Sequence, residues 1–167
     1  GAAYYYDNKM MIWASPLDFE LRGSHRWLQN VITHEFAHIV SLQKAMKAGT
    51  SIPGAYFQFM NYEEEKRPDV LYGYPNTLVS YPLSGTVVPP WLAEGTAQYM
   101  YDEADWDNWD SHRDMILRDR VINDNLLSFT EMNTFGKKGI GNESTYNSGF
   151  ALATYIANEY GSDVLSE

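Results

Sequence analysis

No cysteine occurs anywhere in the 167 residues. Disulfide frameworks and thiolate metal sites are therefore excluded, and a transition metal has only imidazole and carboxylate to hold it. Long apolar runs are missing too. Nothing in the sequence approaches the ~20 residues of a membrane-spanning helix, and no basic start followed by an apolar stretch resembles a leader peptide. Positive charge is scarce: 12 Lys and Arg stand against 22 Asp and Glu, a formal net charge of −10. Such a field repels nucleic acid and anionic membrane surfaces and accepts neutral or cationic partners more easily. Histidine is scarcer still, with four in the chain, so their placement carries weight. What remains, 44% hydrophobic and 20% charged residues, is globular composition, and the length suits one domain with a real core.

Along the chain the pattern is mainly helical, α+β in class. The first residues, "GAAYYYDNKMMIW", begin directly in strand-like sequence, and the last, "GSDVLSE", stop as a new helix starts. The chain is therefore expected to be part of a longer protein. Residues 9–14 suit a short strand, followed by a turn at Ser15 and Pro16. From residue 24 to residue 48, Leu28, Val31, Ile32, Ile39, Val40 and Leu42 recur near the 3.6 period, with Gly49 as a stop. Residues 50–89 are irregular, rich in proline, glycine and tyrosine, and read as a long insertion with small strands or a helical turn. Pro90 is well placed in the first turn of a second helix that runs to about Asp102. "SHRDMILRDRVI" gives a third helix, "SFTE" has the form of a capping box, and "TYNSGFALATYIANEY" reads as a helix closed by Gly161. With no internal repeat and no domain boundary, residues 1–167 are expected to form a single domain.

The chemistry centres on "VITHEFAHIV", residues 31–40. Residues i and i+4 lie one above the other on a helix, so His34 and His38 can aim nitrogens at one point. Glu35 is turned about 100° away, which keeps it beside such a site and out of the ligand set. This is the H-E-x-x-H arrangement, in which the histidines hold zinc and the glutamate takes a proton from water. The plainer alternative is a helix carrying two half-exposed histidines. A third ligand decides between them, because catalytic zinc keeps three protein ligands and leaves one position open. The H-E-x-x-H-x-x-G-x-x-H form fails at Ser41 and Lys44. Glu94, in "WLAEGTAQY", is either a surface helix residue or the missing ligand, and beside the first motif it is the favoured ligand; Gly95 would let backbone approach closely there. Asp102, Glu103 and Asp105 follow as an acidic loop that could hold a ligand imidazole from behind, although a solvated loop is the simpler reading. His25 and His112 read as ordinary polar residues, and Arg113 and Arg118 as helical salt-bridge partners before substrate anchors.

"HEFAH" and "WLAEG", with "TYNSGFALATYI" after them, resemble the gluzincin metallopeptidases of the aminopeptidase N and leukotriene hydrolase type and the bacterial peptidase MA-like proteins. The three segments run in family order from residue 34 to residue 156. The resemblance implies a thermolysin-like zincin catalytic domain, with an edge strand before the zinc helix and a helical lobe after it. It implies Zn2+ on His34, His38 and Glu94, Glu35 as general base, Tyr146 as the catalytic tyrosine, and a peptide or protein substrate. It also implies an extracytoplasmic bacterial setting. Two features depart from the family. Fifty-five residues separate His38 from Glu94, far more than in the aminopeptidases. Their Gly-x-Met-Glu-Asn stretch, which binds the substrate amine, is replaced by "GAAYYYDN" with Tyr4 at the glutamate position. Zinc-dependent peptidase action on internal bonds is thus the leading expectation. A non-catalytic module that keeps the scaffold for binding, and a zinc hydrolase of a non-peptide bond, are the alternatives; intact Glu35 and Tyr146 weigh against the first of these.

Overall fold

Tyr4, 2% exposed, anchors a hairpin at the start of the chain. The computed structural model describes residues 1–12, 27–47, 56–62, 75–82, 85–103, 111–134 and 140–165. Strands β1 (Ala2–Tyr4) and β2 (Lys9–Met11) pair antiparallel, with Ala2 opposite Met11 and Tyr4 opposite Lys9. Asn8 stands between them at φ 50°, a left-handed conformation that asparagine tolerates better than most residues. The hairpin is pinned to the first helix by Gln43, whose Nε2 donates to the Tyr5 carbonyl and to Asn8 Oδ1. The strand expected over residues 9–14 thus ends at Met11 and gains a partner upstream; residues 13 and 14 lie outside the described residues.

Helix α1 spans Trp27–Lys44. It stops short of the Gly49 expected to end it, because the next residues enter a different pairing. Met46 forms an antiparallel bridge with Thr86, and the Lys47 amide donates to the Gly85 carbonyl at 2.9 Å. Two compact units result: Gly1–Ala45 with Val88–Glu167, and Met46–Val87. The second takes in most of the irregular 50–89 stretch. It holds a regular hairpin of β3 (Tyr56–Tyr62) and β4 (Pro75–Pro82), in register from Tyr56 opposite Pro82 to Asn61 opposite Thr77, with an irregularity at Asn61 and Tyr62.

Apart from the β1–β2 hairpin, the first unit is helical among the described residues. After α1 come α2 (Pro90–Glu103), α3 (Ser111–Ile122), the single turn α4 (Phe129–Met132), α5 (Ile140–Tyr160) and a 3-10 turn at Ser162–Leu165. The capping box is complete: Ser128 Oγ accepts from the Glu131 amide while Glu131 Oε2 accepts from the Ser128 amide. Gly161 closes α5 at φ 92°, where only glycine sits without strain. Helix α5 begins at Ile140, five residues before the expected start.

The helices cross where their side chains are smallest. Ala93 and Ala97 on α2 and Ala153 and Ala157 on α5 are all buried; Gly95 stands between the first pair and Gly149 one turn before the second. A Cβ on Gly95 would overlap the backbone of Gly149, and one on Gly149 would overlap the Trp91 carbonyl. The two backbones therefore touch, which any larger residue at either point prevents. Trp91 also sets its ring against that of Phe129, centroids 5.4 Å apart and planes tilted by 57°, tying α4 to α2. Helix α1 packs on α2 as well. It buries Asn30, Glu35, His38 and Ile39, whereas Leu28, Ile32, Phe36 and Val40, four residues apart in turn, form an exposed apolar stripe on another side. Among the described residues no helix is long and apolar enough to cross a membrane.

Candidate metal centre

Helix geometry stacks His34 over His38 on α1, and the two rings stand nearly perpendicular, centroids 4.6 Å apart. Their Nε2 atoms approach to 3.1 Å. Helix α2 brings Glu94 against both: its Oε2 lies 2.9 Å from His34 Nε2 and 3.2 Å from His38 Nε2. The residues named from sequence as ligands, 60 and 56 positions apart, thus meet in one triangle of nearly equal sides. The Gly95–Gly149 contact beside Glu94 gives α2 a fixed seat on α5.

A tetrahedral cation with bonds of ~2.0–2.1 Å separates its ligands by about 3.3–3.4 Å. The triangle matches that spacing to within a few tenths of an ångström. Proton counting leads the same way. Each Nε2 carries at most one proton and ionised Oε2 carries none, so at most two of the three short contacts can be hydrogen bonds. Two imidazole nitrogens and a carboxylate oxygen in this arrangement suit a divalent ion such as zinc.

The electrostatics reflect the crowding. For His34, burial disfavours the imidazolium more than the bond to Glu94 favours it, and the pKa falls below its ordinary value. Burial opposes the charged form of His38 too, but the Glu94 carboxylate and its hydrogen bond outweigh it, and the pKa rises. Burial likewise opposes an ionised Glu94; the charge on His38 and hydrogen bonds from both imidazoles win and hold the carboxyl far below the usual carboxylate range.

Glu35 is buried, 7% exposed, and its charge favours the protonated form of both imidazoles, so it stands within electrostatic reach of the centre without joining the triangle. A residue not anticipated from sequence meets it. The Gly1 nitrogen lies 3.9 Å from Glu35 Oε1, and a Cβ on Gly1 would come within 2.6 Å of that oxygen. Glycine at the start of a strand is the only signal for this contact, and it does not name its partner. Tyr146, half-buried on α5, sets its ring 6.1 Å from that of His34, tilted by 32°. The centre therefore has α1 and α2 as its walls and the Tyr146 ring of α5 beside it.

The remaining candidates fare differently. His38 Nδ1 is buried without a hydrogen-bond partner; the side chains of Asp102 and Glu103, read from sequence as candidates to hold it, lie outside what the structure describes. Asp105 and His25 lie outside the described residues. Arg118 pairs with Asp114 one turn away, as the helical reading has it, and Arg113 is buried at 3% exposure. Comparisons with protein-family models, curated proteins and solved structures give no match.

Proposed function

We propose that this chain is the catalytic region of a zinc-dependent peptidase of gluzincin type, built on a thermolysin-like scaffold. The observation that carries the reading is the convergence of His34, His38 and Glu94 from two helices. These three residues would hold the ion. Bound zinc supplies Lewis acidity, which lowers the pKa of water and polarises a carbonyl. Glu35 accepts the proton of the attacking water and passes it to the leaving amine, for which a buried carboxylate beside the ligands is well placed. The Tyr146 hydroxyl donates a hydrogen bond to the carbonyl oxygen as charge develops on it. Its ring beside His34 supports that role.

The test is metal content by mass spectrometry after dialysis against metal-free buffer, paired with hydrolysis of a peptide library. About one zinc per wild-type chain is expected, with loss in Glu94→Ala. Glu35→Gln is expected to keep the metal and lose roughly 10²- to 10⁴-fold in rate. A wild-type chain that fails to retain zinc added at neutral pH overturns the reading. Metal retained while Glu35→Gln works at the wild-type rate removes Glu35 from the mechanism.

A further inference from the structure

The hairpin of β1 and β2 packs on α1 and meets it at two places whose spacing agrees on both partners. At one, Gln43 Nε2 donates to the Tyr5 carbonyl and to Asn8 Oδ1. At the other, Gly1 sits against Val31 and Glu35: a Cβ there would stand 2.6 Å from Glu35 Oε1, 2.9 Å from Glu35 Cγ and 2.9 Å from Val31 Cγ1. Val31 and Glu35 are four apart on α1, so they face the same way from successive turns. The helix rises about 12 Å from Glu35 to Gln43, and extended chain from Gly1 to Tyr5 covers ~13 Å. The hairpin therefore lies along the helix in one register. With Gln43 holding Tyr5, the residue that opens β1 falls at the Glu35 carboxylate.

We propose that Gly1 is a positioning residue for Glu35: its missing side chain leaves the space in which the carboxylate rests, and Gln43 sets the register that brings the glycine there. The kind of obstacle decides what an added methyl group does. At Gly95 and Gly149 it would meet backbone, which cannot turn aside, whereas at Gly1 it would meet only the side chains of Glu35 and Val31. Val31 is β-branched and stiff about χ1 on a helix, so the longer Glu35 side chain is the one that yields. Moving from 2.6 Å to an ordinary contact of 3.4 Å or more displaces the carboxylate by roughly 1 Å, a misplacement that costs about 10²-fold in rate at a reacting centre. The fold keeps its backbone contacts. The placement follows from geometry alone, and only its effect on rate rests on the peptidase reading.

The experiment uses the full chain, labelled with carbon-13 at the glutamate side-chain carboxyls, and follows the Glu35 resonance, assigned by its loss in Glu35→Gln. In Gly1→Ala that resonance is expected to shift while the urea midpoint and zinc content stay at the wild-type level. Gly85→Ala, whose added methyl meets nothing within 4 Å, is expected to change none of the three. Gln43→Leu removes both hydrogen bonds of the clamp and is expected to shift the same resonance. On the library peptide that the wild type cleaves fastest, Gly1→Ala should lower kcat roughly 10- to 100-fold with KM nearly unchanged. Glu35→Asp draws the carboxylate back by one methylene and makes room for the methyl, so Gly1→Ala added to it should cost less than about two-fold more, a coupling that a double-mutant cycle measures. An unmoved Glu35 resonance in Gly1→Ala overturns the proposal, as does a loss of rate that adds in full on Glu35→Asp. A wild type that holds zinc and cleaves no peptide overturns the peptidase reading instead, and the carboxyl resonance then decides the placement by itself.

Discussion

His34, His38 and Glu94 turn lone pairs toward a common point, and the available protons cannot fill it. A proton and a divalent cation compete for the same nitrogens, so the pKa shifts set the pH at which metal is held. Glu94, kept far below the carboxylate range by its two imidazole neighbours, stays ionised through neutral pH and does not enter the competition. His34, with burial pressing its proton off, competes only at the acid end. His38 keeps its proton above the ordinary imidazole value, about 6.5. Metal affinity is therefore full above the His38 pKa and falls as pH drops through it, by about ten-fold per pH unit while one proton is exchanged. A steeper fall follows once His34 is protonated as well. Zinc titration against a competing chelator at about pH 8, 7 and 6 measures this. Affinity that stays level across that window would show that the imidazoles do not ligate.

At the scale of elements, the distance between α2 and α5 is set by two residues without side chains. Gly149→Ala forces a methyl against the Trp91 carbonyl, and Gly95→Ala forces one against Gly149. Each obstacle is backbone, which cannot rotate aside. Helix propensity alone favours alanine by ~1 kcal/mol, so the expected net destabilisation is the overpacking cost, about 1–3 kcal/mol, reduced by that gain. Urea unfolding of the single variants checks it, and an alanine variant more stable than wild type would show that the helices do not meet there. Zinc affinity should fall in Gly95→Ala more than in Ala153→Gly, because residue 95 adjoins the ligand. Part of this arrangement is legible in sequence. Pro90 marks the start of α2, Ser128 with Glu131 marks α4, Gly161 marks the end of α5, and the apolar period marks α1. The first turn of α5 is not legible, since Gly141, Asn142 and Ser144 are weak helix formers. Burial decides there: Ser144, Thr145 and Asn147 are at most 1% exposed, and tertiary packing overrides their local preference. The meeting of Glu94 with the histidines follows from packing between α1 and α2, which spacing along the chain does not encode. Small strands are expected within residues 50–89, and β3 and β4 lie there; their pairing and register are not legible, because alternation along one strand does not name its partner.

For the molecule as a whole, the consequence is that the metal ligands belong to one unit and the long connection to another. All three ligands, Glu35 and Tyr146 fall within Gly1–Ala45 and Val88–Glu167, while Met46–Val87 forms the other unit. That second unit is closed at its base by the Met46–Thr86 bridge and the Lys47–Gly85 hydrogen bond. Residues facing each other across an antiparallel pair stand about 4.5–5.5 Å apart, and each extended residue reaches ~3.3–3.6 Å. A linker of about three glycine and serine residues can therefore join Ala45 to Val88 without pulling α1 or α2 from its place. The shortened connection also lowers the entropy of the unfolded chain, so the stability of the helical unit should be kept or raised. The expected outcome is a protein with unchanged zinc stoichiometry and a helical circular-dichroism signal that scales with the helices retained. Loss of zinc with the helical signal preserved would instead place residues of 46–87 in the metal centre.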